Sequence, residues 1–183
     1  MAYNQKQIEA TFKVNLDRIP SSIRGEVLNE IGNYIITSIL DDVGGGLSPV
    51  TGKRFKSLDQ EYADEEKGGD KLPNLELEGD MLGALNYRID GNEIIYGITD
   101  EDQAAKAYGH NTGMKGHKFL ENKVPVRKFI PNPDEQLRLE IRNGINNLLD
   151  GYRMPEVEET EEEIQASSVI ERRSVLDLIL GGL

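Results

Sequence analysis

The residues of this chain best spaced to hold a phosphate follow the triple glycine at 44–46, where residues 47–58 read LSPVTGKRFKSL. A phosphate loop needs two glycines five positions apart, then Lys and Ser or Thr, because backbone N–H groups and a hydroxyl must close around phosphate and magnesium. Here Gly46 and Gly52 stand six apart, and Arg54 follows Lys53 where the hydroxyl belongs. Pro49 also removes one N–H donor. Spacing and chemistry both fail. What is left is a loop with turns at Ser48-Pro49 and Thr51-Gly52, a basic triplet (Lys53, Arg54, Lys56) and two apolar anchors, Phe55 and Leu58. That composition suits a protein-contact loop.

Other reactive groupings are weaker. His110 and His117 lie near Asp100, Glu101 and Asp102, but glycine-rich sequence separates them and neither HExxH nor EF-hand spacing occurs. No metal site and no cofactor is expected. The chain has no cysteine and no G-x-S-x-G elbow, and no serine neighbours either histidine in sequence, so nucleophilic catalysis finds no support. Carboxylates such as Glu76, Glu78 and Asp80 read as solvated surface in a chain with 33 acidic residues. The expectation is a protein without catalytic residues. A basic stretch, Lys115, Lys118, Lys123, Arg127 and Lys128, opposed only by Glu121, reads as a loop for DNA phosphates or an acidic partner.

Patterning supplies the elements that must carry these loops. Ile8, Ala10, Phe12, Val14 and Leu16 alternate, predicting a strand over residues 8–17, with a helix as the second reading. Pro20 and Ser21-Ser22 open a helix whose apolar residues Ile23, Val27, Ile31, Tyr34, Ile35 and Ile39 recur at three and four, ending at Asp41-Asp42 and the glycines. Residues 57–67 suggest a short polar helix around Leu58 and Tyr62, and Leu75, Leu77, Met81, Leu82 and Leu85 another, with Gly79 in its middle. Asp90-Gly91, between Tyr87-Arg88-Ile89 and residues 93–98, predicts a type I′ hairpin. Asp100 caps a helical turn through Ala104, Ala105 and Tyr108, broken by Gly109 and Gly113. Val124, Val126 and Phe129 alternate around Pro125 as an edge strand. From Asp134, the residues Leu137, Ile141, Ile145, Leu148 and Leu149 describe a second amphipathic helix ending near Gly151. The expected architecture is α+β: a small, largely antiparallel sheet packed by two long amphipathic helices.

At 183 residues the chain can hold one core domain, taken as 1–153, plus an appendage at 154–183. Net charge is −12, divided as −8 over residues 1–100, +2 over 101–153 and −6 over 154–183. So negative a chain repels nucleic acid in general, which leaves room only for a local basic patch. Residues 155–163 (PEVEETEEE) hold six glutamates and predict a self-repelling, disordered acidic linker. Ser168 and Glu171 form a capping-box pair before Val169, Ile170, Val175, Leu176, Ile179, Leu180 and Leu183, predicting a short helix that needs a partner. In an oligomer, the acidic linker of one subunit is expected near the basic loop of its neighbour. No apolar run approaches the roughly 20 residues that span a bilayer, and residues 1–10 lack a signal-peptide core. A soluble protein made in the cytoplasm, without membrane contact, is expected.

With the contact loop written S-P-V-T-G-K-R-F-x-x-L, the chain resembles the tailed-phage virion morphogenesis family of head-tail joining and tail-completion proteins. That family shows a long helix and then S-P-x-T-G-x-x-W-x-x-L, with an aromatic where Phe55 stands. Residues 77–85 (LEGDMLGAL) are similar to its next element, a hairpin follows, and residues 107–113 (AYGHNTG), with His110 and Gly113, resemble its A-x-x-H-x-x-G. Residues 124–129 (VPVRKF), with Pro125 and Phe129, resemble its I-P-x-R-x-F before the last long helix. The likeness covers roughly residues 20–150 and lies in the order of the motifs.

The resemblance implies a structural virion protein at the head-tail junction, built as a cyclic homo-oligomer, most plausibly a hexamer, beside neck, portal-adaptor or tail proteins. Phage DNA would pass through it without sequence-specific binding. Ser48, Pro49, Thr51, Gly52 and Phe55 would shape the contact loop, and Val169, Ile170, Leu176, Ile179 and Leu180 would anchor the tail to a partner. A second expectation, from the net charge and the glutamate run, is an acidic, non-enzymatic binding module that mimics nucleic acid or inhibits a basic partner.

Overall fold

The computed structural model describes residues 7–75, 79–113 and 125–155. The chain divides into two units, 1–153 and 154–183. The predicted linker and anchor, including Val169, Ile170, Leu176, Ile179 and Leu180, lie outside the described residues, as do Lys115, Lys118 and Lys123.

The first unit mixes helix and strand. Its elements run β1 (Ile8–Lys13), α1 (Arg24–Gly44), α2 (Gln60–Glu66), α3 (Asp80–Gly83), β2 (Asn86–Asp90), β3 (Glu93–Ile98), α4 (Glu101–Thr112) and α5 (Leu139–Tyr152). The three strands form one antiparallel sheet in the order β1-β3-β2. One face carries Ile8, Ile94, Tyr96 and Ile98 into the core, where they meet Val27, Ile31, Ile35 and Ile39 of α1. Burying that many branched side chains, each worth about 1.5–3 kcal/mol, is what holds sheet and helix together.

Two glycines set how closely the layers approach. A Cβ on Gly32 of α1 would lie 2.3 Å from the Tyr87 ring of β2, whose hydroxyl donates to the Asn29 carbonyl at 3.1 Å. A Cβ on Gly144 of α5 would lie 1.9 Å from the Tyr34 hydroxyl of α1. Each tyrosine therefore rests on bare helix backbone.

Several local expectations are corrected. The serine pair makes no side-chain cap; Ile23 is the N-cap of α1, and Ser21 and Ser22 are exposed. The helix predicted around Leu75–Leu85 shrinks to α3, because Leu75 and Gly79 both take positive φ (59° and 82°) and break the helical path. The hairpin loop is Gly91-Asn92, since Asp90 already pairs with Glu93. Only Gly91 has positive φ (59°), as at the first central position of a type II′ turn. Gly109 does not break α4, which runs to Thr112 and stops at Gly113 (φ 69°). No strand forms over residues 125–129, and α5 begins at Leu139, five residues later than predicted. No helix among the described residues is long and apolar enough to cross a membrane.

Candidate functional site

The loop after α1 is launched by the helix end itself. The Leu47 N–H donates to the Asp42 carbonyl at 2.8 Å and the Gly46 N–H to the Val43 carbonyl at 2.9 Å, with Gly46 at φ 71°. These are the two bonds of a Schellman motif, which needs a residue tolerant of left-handed backbone where Gly46 stands. The loop then closes on itself. Leu47 and Arg54 form an antiparallel bridge, the Ser48 N–H donates to Lys53 and the Gly52 N–H to Ser48, each at 2.9 Å, and the Phe55 N–H donates to Gly46 at 2.8 Å. Val50 and Thr51 donate to the Ser48 hydroxyl oxygen at 3.3 and 3.1 Å. The backbone donors that a phosphate would need are turned inward, so the loop makes no anion cradle.

Its buried side is a latch. Ser48 is 3% exposed and donates its hydroxyl to the Lys128 carbonyl at 2.6 Å. The buried Pro49 accepts the Arg138 N–H at 2.8 Å. The Arg138 guanidinium forks onto Asp42 at 2.6 and 2.9 Å, tying the start of α5 to the end of α1. Phe55 fills the core and Leu58 is half-buried, whereas Thr51, Gly52, Lys53 and Arg54 are exposed at the tip.

The segment 125–130 meets the same latch from α4. The Asn111 side chain accepts the Phe129 and Ile130 N–H groups at 2.8 and 3.0 Å and donates to the Ile130 carbonyl at 2.8 Å. The Arg127 N–H donates to the His110 carbonyl at 2.7 Å. One asparagine thus supplies what a neighbouring strand would otherwise supply, which is why alternation around Pro125 does not yield a ladder. Phe129 is fully buried, while Val126 is 56% exposed.

The predicted basic loop changes character where it is described. Arg127 is buried, its guanidinium reaching the Lys56 carbonyl at 3.5 Å, and Lys128 pairs with Glu135 at 2.6 Å. Neither is a free surface cation. His110 is half-buried beside Arg127, its Nδ1 atom buried and unpartnered among the described residues. Desolvation, reinforced by the Arg127 charge, lowers its pKa to about 4.

A cleft of about 520 Å³ opens elsewhere, between β1 and the segment leading into α5. Residues 9–13 line one wall, and Leu137, Arg142 and Asn146 line the other. Glu9 and Glu135 also face it, but Glu9 is paired with Arg88 of β2 and Glu135 with Lys128. No group of three His, Cys, Asp or Glu able to hold a metal occurs among the described residues.

The structure therefore joins Ser48, Phe55, His110, Lys128 and Phe129, and caps α4 with Gly113, while Lys53 and Arg54 point away at the loop tip. Sequence reasoning missed Asn111, which stands inside the quoted AYGHNTG stretch beside His110. It also missed Asp42 and Arg138, 96 residues apart, for which no local signal exists. Comparison with protein-family models, with curated proteins and with solved structures found no match.

Proposed function

We propose that this chain is a non-enzymatic structural subunit of a tailed-phage virion. It forms a closed ring, most plausibly of six copies, at the head-tail junction, assembled in the host cytoplasm and open to the passage of DNA. The observation that carries the reading is the latch. Three motif segments far apart in sequence are bonded to one another through Ser48, Asn111 and the 127–130 backbone. Their polar groups hold the fold instead of facing a substrate, as suits a load-bearing part.

The latch also explains the loop's exposed tip. With its base fixed on α1, α5 and the 125–130 segment, Lys53 and Arg54 project from a rigid turn that can dock on a different patch of a neighbour. Such a head-to-tail contact closes into a ring when the rotation fits. The net acidic surface would keep transiting DNA from adhering.

Native mass spectrometry and negative-stain imaging of the purified full chain test this. A single ring-sized species is expected, and Lys53→Glu with Arg54→Glu should dissolve it without lowering the melting temperature by more than a few degrees. A chain that stays monomeric at high concentration, or co-purifies with a basic protein, overturns the ring in favour of the acidic-module reading.

A further inference from the structure

β2 lies at the rim of the sheet, with β3 on one side of it. The ladder fixes which of its groups face outward. The Val14 N–H donates to Asn92 at 2.9 Å, so Ile94, Tyr96 and Ile98 turn their backbone groups to β1, and Glu93, Ile95 and Gly97 turn theirs to β2. Their hydrogen-bonded partners in β2 are Asp90, Arg88 and Asn86, which leaves Tyr87 and Ile89 facing away from the sheet. One outward group is already used, since the Tyr87 N–H donates to the Asn86 side-chain oxygen at 2.7 Å. Among the described residues, no hydrogen bond engages the Tyr87 C=O, the Ile89 N–H and C=O or the Gly91 N–H. Neither a proline nor a bulge guards this edge, and Ile89 is 36% exposed on it.

The charges along β2 are complementary to themselves. Arg88 and Asp90 flank Ile89 and share the sheet face away from the core, as partners of Ile95 and Glu93. Two copies of β2 laid antiparallel about a twofold axis at Ile89 set each Arg88 opposite the Asp90 of the other copy. An axis at Arg88 or at Asp90 would set like charges opposite each other, which is destabilising. An axis at Tyr87 would need the N–H that Asn86 holds. In the register that remains, Ile89 bonds to Ile89 in both directions, and each Gly91 N–H reaches the Tyr87 C=O of the other copy. Arg88 can serve two carboxylates, because it grips Glu9 through its terminal nitrogens while its side chain stays 52% exposed.

We propose that β2 is a twofold docking edge, on which a second copy of this chain lays its own β2 and joins two three-stranded sheets into one of six strands. Backbone bonds give the contact its direction, and the two Arg88–Asp90 pairs give it its register. Such an isologous contact closes at two copies, so it neither needs nor builds the ring proposed above. Four backbone bonds and two exposed ion pairs make a weak dimer, populated as protein concentration rises.

The chain contains no cysteine, which makes a crosslinking test clean. Full-length Arg88→Cys and full-length Asp90→Cys proteins are mixed under mild oxidation. Opposed residues that do not share hydrogen bonds stand roughly 4.5 Å apart at Cα, within reach of a disulfide, and the second Arg88–Asp90 pair of the same dimer stays intact. The mixture is expected to give crosslinked dimer at roughly ten times the yield of either protein alone. Sedimentation is then measured in a Lys53→Glu, Arg54→Glu background, where the ring is expected to be lost. There Arg88→Glu or Asp90→Lys should raise the concentration of half-dimerisation about tenfold, and the two together should restore most of it. Restoration separates a contact between copies from the Arg88–Glu9 pair, which the exchange leaves broken. Ile89→Pro should abolish the dimer with the sheet intact by circular dichroism, because the N–H it removes faces outward. If Ile89→Pro fails to fold, the charge exchange answers the same question.

A higher yield from Arg88→Cys alone than from the mixture would put the axis at Arg88 and overturn the proposal. So would equal yields from all three samples, or a dimer that the charge exchange does not restore. The crosslink is expected to persist in the Lys53→Glu, Arg54→Glu background; its loss there would assign it to the ring contact, overturning the docking edge and leaving the ring. A crosslink in a chain that never exceeds a dimer keeps the docking edge and overturns the ring.

Discussion

The Asn111 side chain carries as many hydrogen bonds as that of Ser48, three each. Its three hydrogen bonds satisfy two buried N–H groups and one carbonyl of residues 129–130. Asn111→Ala would leave all three without partners, and a buried orphan costs about 1–3 kcal/mol. The expected loss is roughly 3–5 kcal/mol in urea unfolding, large for one side chain. His110 contributes a pH dependence. Its folded pKa of about 4 lies below the ordinary 6.5, so the unfolded chain takes the proton first. Stability from this group is fully present above pH 6.5 and is lost as pH falls from 6.5 towards 4, by about 3 kcal/mol in all. Unfolding measured from pH 7.5 to 4.5 should show that decline, and His110→Gln should remove it from the upper part of the range, where few carboxylates titrate.

At the scale of elements, glycine acts as a packing surface. Gly144→Ala places a methyl against the Tyr34 hydroxyl and is expected to cost about 1–3 kcal/mol, as overpacking does. In a Tyr34→Ala background the obstacle is gone, and the same change should stabilise by up to about 1 kcal/mol through helix propensity. The sign reversal, read in thermal melts of the four proteins, isolates the contact. Neither Gly32 nor Gly144 is marked by sequence, because only the facing tyrosine gives it meaning. Periodicity did reveal α1 and the β2–β3 hairpin, whose signals are local: Val27, Ile31, Ile35 and Ile39 on one helix face, and Asp90-Gly91 beside the true turn. It failed where a distant group captured the backbone. Asn111 takes the N–H groups of 129 and 130 that a strand would share, and Pro49 takes the Arg138 N–H, beside the point where α5 starts. The cleft was illegible for the same reason, since Lys13 and Arg142 come to line one cleft only in the folded chain.

For the whole molecule, the division after Arg153 allows the two units to be separated experimentally. Removing residues 169–183 is expected to leave the melting transition of the first unit within a few degrees of the full chain while abolishing the ring or its attachment to a partner. Native mass spectrometry beside calorimetry checks both; normal assembly of the truncated chain would remove the anchor role. Salt discriminates further. A ring joined through Lys53, Arg54 and acidic neighbours should loosen as ionic strength rises from 0.05 to 0.5 M, because exposed charges lose most of their reach beyond a screening length of about 10 Å at 0.1 M.

The latch bears on how the molecule is made. Ser48 waits for Lys128, 80 residues downstream, and Asp42 for Arg138, 96 downstream, so the end of α1 has only its local bonds until most of the chain has left the ribosome. Closing spans of that length is entropically costly and slows folding relative to helical bundles held by near neighbours. Until then Val43 and Phe55, core residues of the finished protein, have incomplete cover. A nascent chain arrested near residue 120 should therefore be a strong chaperone client, and release of some twenty more residues should be the step that ends that dependence.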